Sequence, residues 1–424
     1  MLKLIKKWSG RFKGELIFMC ANYLTPIVGF LASIVAARFV APAEMGAIQT
    51  ALLFVPYLAM LHFGVFTGLA RNLAYYLGKG EEEKAMRMVS ASAFVAKINT
   101  GIGLIFGLGF IAVQLSTENP NRIVIIAGIA MTISLVCMPF INQISIKNRS
   151  GQHFKEFGKV VFSANLLRSI YLFLPALLGW IGHVISLGLQ PIIRLTLLKR
   201  KEPYPVRVPF FRSDLTELIK VGFPIMTNGY IAGLLLVADQ SLVALFMTKE
   251  KLGYFALARL VVMTIMIIPT TLSILLSPKV AACYGRTHDP HALRRFFWII
   301  LGIHAAFIIP FCIISYFAVG PIVEGLLPKY IPGIGVAKIT ILTCLGYIFS
   351  GLLIISSTLR KNIIPILFYF IALSAMWIGG YILFHRNTTP NMEQIAWLRF
   401  YISMLLSIAT LIYVYYTTRR KKEF

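Results

Sequence analysis

The run GFLASIVAARFVAPAEMG, Gly29 to Gly46, contains Arg38, the first charge after an uncharged stretch from Leu16 to Ala37. That stretch is long enough to cross roughly 30 Å of hydrocarbon at about 1.5 Å per helical residue. A Pro-Ala-Glu-Met-Gly turn follows Arg38 closely. Read alone, the arginine is either an anchor at the water boundary or part of a binding site.

Stretches of the same kind recur from end to end. The 424-residue chain is 58% hydrophobic and 13% charged, with a mean hydropathy of +0.78. Those values lie far outside the range of a soluble domain and predict an all-α integral membrane protein. The first span follows Lys3, Lys6, Lys7, Arg11 and Lys13, and it is too long for a cleavable signal peptide, so it reads as a retained helix. The chain has 41 Lys and Arg against 16 Asp and Glu, but these cations are scattered between apolar runs, which argues against nucleic acid. Cys20, Cys137, Cys312 and Cys344 fall in expected spans and Cys283 close to one, without metal-ligand spacing. They read as packing residues, with no disulfide, metal or cofactor expected.

Hydropathy predicts twelve spans near 16–40, 47–70, 89–114, 123–145, 159–179, 182–198, 221–246, 253–277, 296–319, 336–357, 363–384 and 395–416. The intervening cations then alternate by side. One set holds 29 of the 41, including the N-terminal five, Arg71/Lys79/Lys84/Arg87, the 199–220 cluster, Arg360/Lys361 and residues 419–422. The opposite connections hold only Arg122, Lys249, Lys251, Lys329 and Arg386. The positive-inside rule therefore predicts a multi-pass protein with both termini in the cytoplasm. The longest internal connection, KRKEPYPVRVPFFRSDLTELIK at 199–220, falls near mid-chain and carries three prolines. The expected organisation is an N-terminal six-helix lobe over 1–200, a cytoplasmic linker over 201–220 and a C-terminal six-helix lobe over 221–424.

An internal duplication supports that division. At an offset of 207, GKGEEEKAMR (Gly78 to Arg87) falls on GRTHDPHALR (Gly285 to Arg294), and Glu44-Met45-Gly46 falls on Lys251-Leu252-Gly253. Six helices per repeat keep its orientation, which predicts lobes related by a pseudo-two-fold axis along the membrane normal around a central cavity. Prolines inside the spans, among them Pro26, Pro139, Pro191, Pro224 and Pro310, can bend helices around such a cavity.

Charges inside spans need a reason, because an arginine at a helix centre costs about 2.5 to 3.5 kcal/mol on the insertion scale. Arg168 is the clearest case, sharing a face with Asn165, Tyr171, Pro175 and Gly179. The next span carries His183, Ser186, Gln190 and Arg194 on one stripe, and the two stripes could face a shared polar path. Arg194 lies close enough to a span end either to snorkel or to serve the path. Lys97 maps onto His304 at the 207 offset, which makes them either two matched ligands or a snorkelling lysine and a satisfied histidine. Asp239, with Asn228 on its face, is a candidate for ion coupling or charge balance. Arg38 and Arg259 are expected outer gate or anchor residues, and Arg399 an anchor. On a helical wheel the stripe of Asn22, Pro26, Gly29 and Ser33 points about 140 to 180 degrees away from Arg38. Cations dominate the interior, so the expected cargo is an anion, for which Arg forks and Lys point charges are suited.

Several motifs resemble one family: AARFVAPAEMGAIQ, FTGLARNLAYYLGKGEEEKA, GYFALARLVV, LLSPKVAACYGR and LPKYIPG. The chain resembles the polysaccharide transporter family, flippases of lipid-linked O-antigen and capsule repeat units within the multidrug/oligosaccharidyl-lipid/polysaccharide (MOP) superfamily. The resemblance implies carriage of an undecaprenyl-pyrophosphate-linked oligosaccharide between leaflets of a bacterial inner membrane, with membrane lipid and polysaccharide polymerase machinery as partners; counter-transport of H+ or Na+ is left open, with Asp239 and His304 as the candidates for coupling. It implies no enzymatic activity. No Gly-x-x-x-x-Gly-Lys-Ser/Thr loop is present, so ATP is not expected as the driver. Two rivals carry opposite expectations: a multidrug extruder of the same superfamily needs an acid-rich cavity, and a membrane-embedded glycan polymerase or acyltransferase needs a large external loop or a catalytic motif.

Overall fold

The computed structural model describes residues 2–206, 208–359, 361, 363–386 and 391–419. Arg207, Arg360 and residues 420–422 of the topological charge set lie outside the described residues. Among the described residues there is no strand, and the helices run in chain order. The first half contains α1 (Leu2–Phe39), α2 (Pro42–Leu52), α3 (Phe54–Leu58), α4 (Val65–Lys79), α5 (Glu82–Leu115), α6 (Arg122–Ser150), α7 (Phe154–Tyr171) and α8 (Leu174–Arg200). The second contains α9 (Arg212–Phe246), α10 (Lys249–Thr287), α11 (Arg294–Leu326), α12 (Ile334–Thr343), α13 (Leu353–Thr358), α14 (Ile363–Arg386) and α15 (Met392–Arg419). Described helices cover each of the twelve expected spans. Nine helical stretches among the described residues are individually long and apolar enough to cross a membrane. The α7 segment falls short of that measure because Lys155, Glu156, Lys159 and Arg168 share its 18 residues.

The expected span at 47–70 is two elements. The membrane-crossing part covers Pro42–His62, and Phe63 and Gly64 then adopt positive φ of 45° and 81°. After that break, α4 is an amphipathic helix that buries Val65, Phe66, Leu69, Leu73 and Tyr76 and leaves Arg71 and Tyr75 exposed. Its apolar face packs on Leu215, Leu218 and Ile219 of α9. Gly64 is required twice over: its φ is left-handed, and a β-carbon there would overlap the backbone at Gly222–Phe223. The expected boundary near 179–182 also shifts, because α7 stops at Tyr171 and Gly179, with φ 56° and ψ −134°, interrupts the first turns of α8. The segment expected at 336–357 mixes α12 and α13 with a 3₁₀ stretch at Cys344–Leu352. There Ser407 of α15 reaches the Gly346 carbonyl at 2.7 Å.

Helix starts repeat at the 207 offset. Ala41 caps α2, its backbone N–H donating to the Glu44 carboxylate at 2.9 Å, while Thr248 caps α10 by accepting from the Lys251 N–H at 3.4 Å. Gly46 and Gly253 are both buried one turn into these helices. The copies diverge at the break: position 271, opposite Gly64, is a threonine, and α10 continues through it as one helix.

By its contacts the chain divides into compact units at Met1–Tyr230 and Ile231–Phe424. The segment 201–220 packs as part of the first unit. Fully buried Lys147 pairs with Glu202 and donates to the Tyr204 carbonyl at 3.3 Å, and Arg87 meets Asp214 at 3.4 Å. The first unit's interior is built by α1 against α7 and by α6 against α5 and α8. In the second, α11, α12 and α15 surround the 3₁₀ stretch.

Candidate functional site

A cavity of about 50 Å³ inside the first unit is walled by Ser33 of α1, Arg168 and Tyr171 of α7, and His183, Ser186 and Gln190 of α8. Each helix contributes for a local reason. In α1, Gly29 removes a side chain where the Arg168 guanidinium lies, so that an added β-carbon would come within 3.4 Å of Nη1. Ser33 satisfies its hydroxyl on the Gly29 carbonyl at 2.9 Å, and Ser186 does the same on the His183 carbonyl at 2.7 Å. These intrahelical bonds let hydroxyls line the cavity without unmet donors. The small stripe opposite Arg38 is thus the one that receives Arg168.

Arg168 is half-buried and lies fourteen residues into α7, about 21 Å along the helix. Among the described residues no carboxylate pairs with it. Arg194 of α8 lies in the electrostatic reach of both Arg168 and Arg149, the latter at the end of α6. Neither of these has a carboxylate partner among the described residues either. Three unpaired guanidiniums therefore form a track from the end of the unit that carries Lys199 and Arg200 toward its middle. Arg149 counts in the sequence only as a loop cation; its place on this track comes from helix packing.

Other site candidates lie elsewhere. Asn165 faces α1, donating its amide to Thr25 Oγ1 at 2.8 Å and the Ala21 carbonyl at 3.2 Å, and so joins helices instead of lining the cavity. Lys97 is exposed on α5 among Phe94, Ile98 and Ile102. His304 is fully buried inside the second unit, its ring so close to Gly351 that no β-carbon would fit there. Arg38 is exposed in the last turn of α1, where a cation complements the helix dipole. Asn228 lines neither cavity described here, and its Oδ1 has no hydrogen-bond partner among the described residues.

A second polar cavity, of about 40 Å³, lies inside the second unit and is walled in part by Asp239, Gln240, Arg259, Thr343, Tyr347 and Arg399. Arg259, expected at an outer gate or anchor, instead turns inward and donates to Gln240 Oε1 at 2.9 Å. Arg399 is 4% exposed and donates to the Tyr347 hydroxyl at 3.1 Å. Its position seven residues into α15 resembles an anchor's in one dimension; the burial comes from α12 and the 3₁₀ stretch packed on that face. Among the described residues no group of His, Cys, Asp and Glu is arranged to hold a metal.

A family model described as "Polysaccharide biosynthesis protein" matches residues 35–330. The chain belongs to that family. Among curated proteins no relative matches it. An inward-facing multidrug resistance MATE family transporter of the MOP superfamily aligns over 92% of this chain and 94% of its own, at 14% identity and a TM-score of 0.71. The outward-facing form of a transporter so described aligns over 96% and 95%, at 14% identity and a TM-score of 0.62. A MOP superfamily transporter from Pyrococcus furiosus Vc1, described as having a binding pocket of reverse polarity, aligns over 96% and 95%, at 13% identity and a TM-score of 0.65. This polysaccharide biosynthesis family member thus has the fold of MOP superfamily transporters and is a multi-pass membrane protein.

Proposed function

We propose that the protein is a flippase, carrying an anionic undecaprenyl-pyrophosphate-linked oligosaccharide, such as an O-antigen or capsule repeat unit, from the inner to the outer leaflet of a bacterial plasma membrane by alternating access. The observation that carries this reading is the cavity around Arg168, walled also by hydroxyls and a histidine with no acid among its walls, and the charge interaction of Arg194 with both Arg168 and Arg149 beside it. Guanidiniums bind phosphate oxygens through paired N–H donors and hold them in a low-dielectric setting. Arg149 and Arg194 provide intermediate stations for the charge, while the polyprenyl tail stays in lipid and needs no polar path. With both termini cytoplasmic, the track starts at the cytoplasmic face. A negative cell interior then favours outward movement of an uncompensated anion by about 2.3 kcal/mol per charge per 100 mV.

The fold is shared with multidrug transporters, which keeps a drug extruder as the second reading. A positive cavity disfavours cationic drugs. The test reconstitutes the protein in vesicles containing a fluorescent undecaprenyl-pyrophosphate oligosaccharide and follows its exposure to an outside glycosidase. Arg168→Ala should slow exposure by about 10- to 100-fold, the loss expected for one or two charge-assisted hydrogen bonds. Transport at the normal rate by Arg168→Ala would overturn the cationic-cavity reading, and drug-cation export without glycan movement would favour the extruder.

A further inference from the structure

We propose that the second unit contains a binding site for a monovalent anion of chloride size, formed by Arg399, Arg259 and Tyr347 in the cavity beside Asp239. This site is separate from the cargo cavity and does not depend on the flippase reading. Arg399 is 4% exposed, yet only its Nη2 has a side-chain partner, Tyr347; among the described residues Nη1 has none. A guanidinium carries five N–H donors and stays protonated at all working pH values, so that group requires an acceptor. Arg259 contributes a second guanidinium on the same cavity, with one N–H spent on Gln240.

Charge decides what fills the space. Asp239 is the one carboxylate among the residues lining the cavity, and its Oδ1 accepts the Gln240 N–H at 2.8 Å. No ion pair within 4.0 Å joins it to either arginine among the described residues. Two guanidiniums against one carboxylate leave one positive charge uncompensated inside a membrane span, which is costly. Waters alone would satisfy donors but leave that charge. A sodium ion would add to that surplus of positive charge instead of cancelling it. A halide accepts from Arg399 Nη1, Arg259 and the Tyr347 hydroxyl together and brings the sum to zero. The volume, about 40 Å³, suits about three waters or one such ion and excludes a sugar phosphate.

The test uses the full-length protein in detergent. Its unfolding temperature should rise saturably when sodium chloride replaces sodium gluconate at constant ionic strength. Arg399→Gln and Arg259→Gln should each weaken the apparent chloride affinity about tenfold or more, whereas Arg168→Gln should keep it. Crystals of the wild-type protein soaked in sodium bromide should show anomalous density beside Arg399, which tests the site even if a variant does not fold. A stabilisation that follows sodium against choline, an equal chloride response in Arg399→Gln, or bromide only beside Arg168 would overturn the proposal.

Discussion

Gly29 and Arg168 form a pair that a single sequence position does not disclose. The glycine leaves the surface of α1 open where the guanidinium of α7 lies, and ordinary contact at 3.4 Å means that alanine would still fit. Gly29→Leu would not, because its branched end would take the volume of the guanidinium. We expect Gly29→Ala to transport lipid-linked glycan near the wild-type rate and Gly29→Leu to fall to the level of Arg168→Ala, measured in the vesicle assay with equal amounts of inserted protein. Equal activity of the two glycine variants would show that Arg168 does not act from its position over α1. The wheel already places Gly29 and Ser33 together; what it lacks is the neighbour that faces them.

Elements differ in how far hydropathy predicts them. Continuous apolar helices such as α5, α6 and α14 lie where expected, since length and apolarity suffice for a bilayer span. The 47–70 and 336–357 segments do not, because there tight packing between backbones overrides the run of apolar residues. At the first, Gly222 of α9 lies against Gly64, and a β-carbon on Gly222 would overlap the Gly64 carbonyl. Gly222→Ala should therefore destabilise the first unit by about 1–3 kcal/mol, the usual cost of overpacking. Gly229→Ala, on the same helix with nothing within 4 Å of its added carbon, should be neutral. Thermal unfolding followed by size-exclusion chromatography distinguishes them; a matching loss in both would mean that the contact with Gly64 does not set the cost, since alanine raises helix propensity at both positions.

At the scale of the whole molecule, the charge asymmetry predicts topology and energetics together. With the 29-cation side inside, cysteines introduced at Lys155 and Arg212 should label from the cytoplasm, and one at Lys249 from outside. Labelling of the first two from outside would invert the proposed path of the cargo. Transport of an uncompensated anion should also quicken when vesicles are made interior-negative, at the face that corresponds to cytoplasm, and slow when the potential is collapsed. A rate insensitive to potential would mean that a co-moving cation neutralises the head group.

Composition and hydropathy alone determined that this is a helical membrane protein. Spacing of charges and the 207-residue repeat added the likeness of its halves, which the caps at Ala41 and Thr248 reproduce. Arg168, Tyr171, His183 and Gln190 were legible as polar stripes because each lies in a span where water is absent and polarity is costly. Only the tertiary structure decided which stripes meet. It turned Asn165 toward α1, buried His304 against Gly351, and turned Arg259 and Arg399 inward to Asp239. The physical reason is that hydropathy records depth along one helix, whereas a binding site depends on rotation about that helix and on which neighbour closes over it. Those are set by glycine contacts and interhelical hydrogen bonds between residues far apart in the chain.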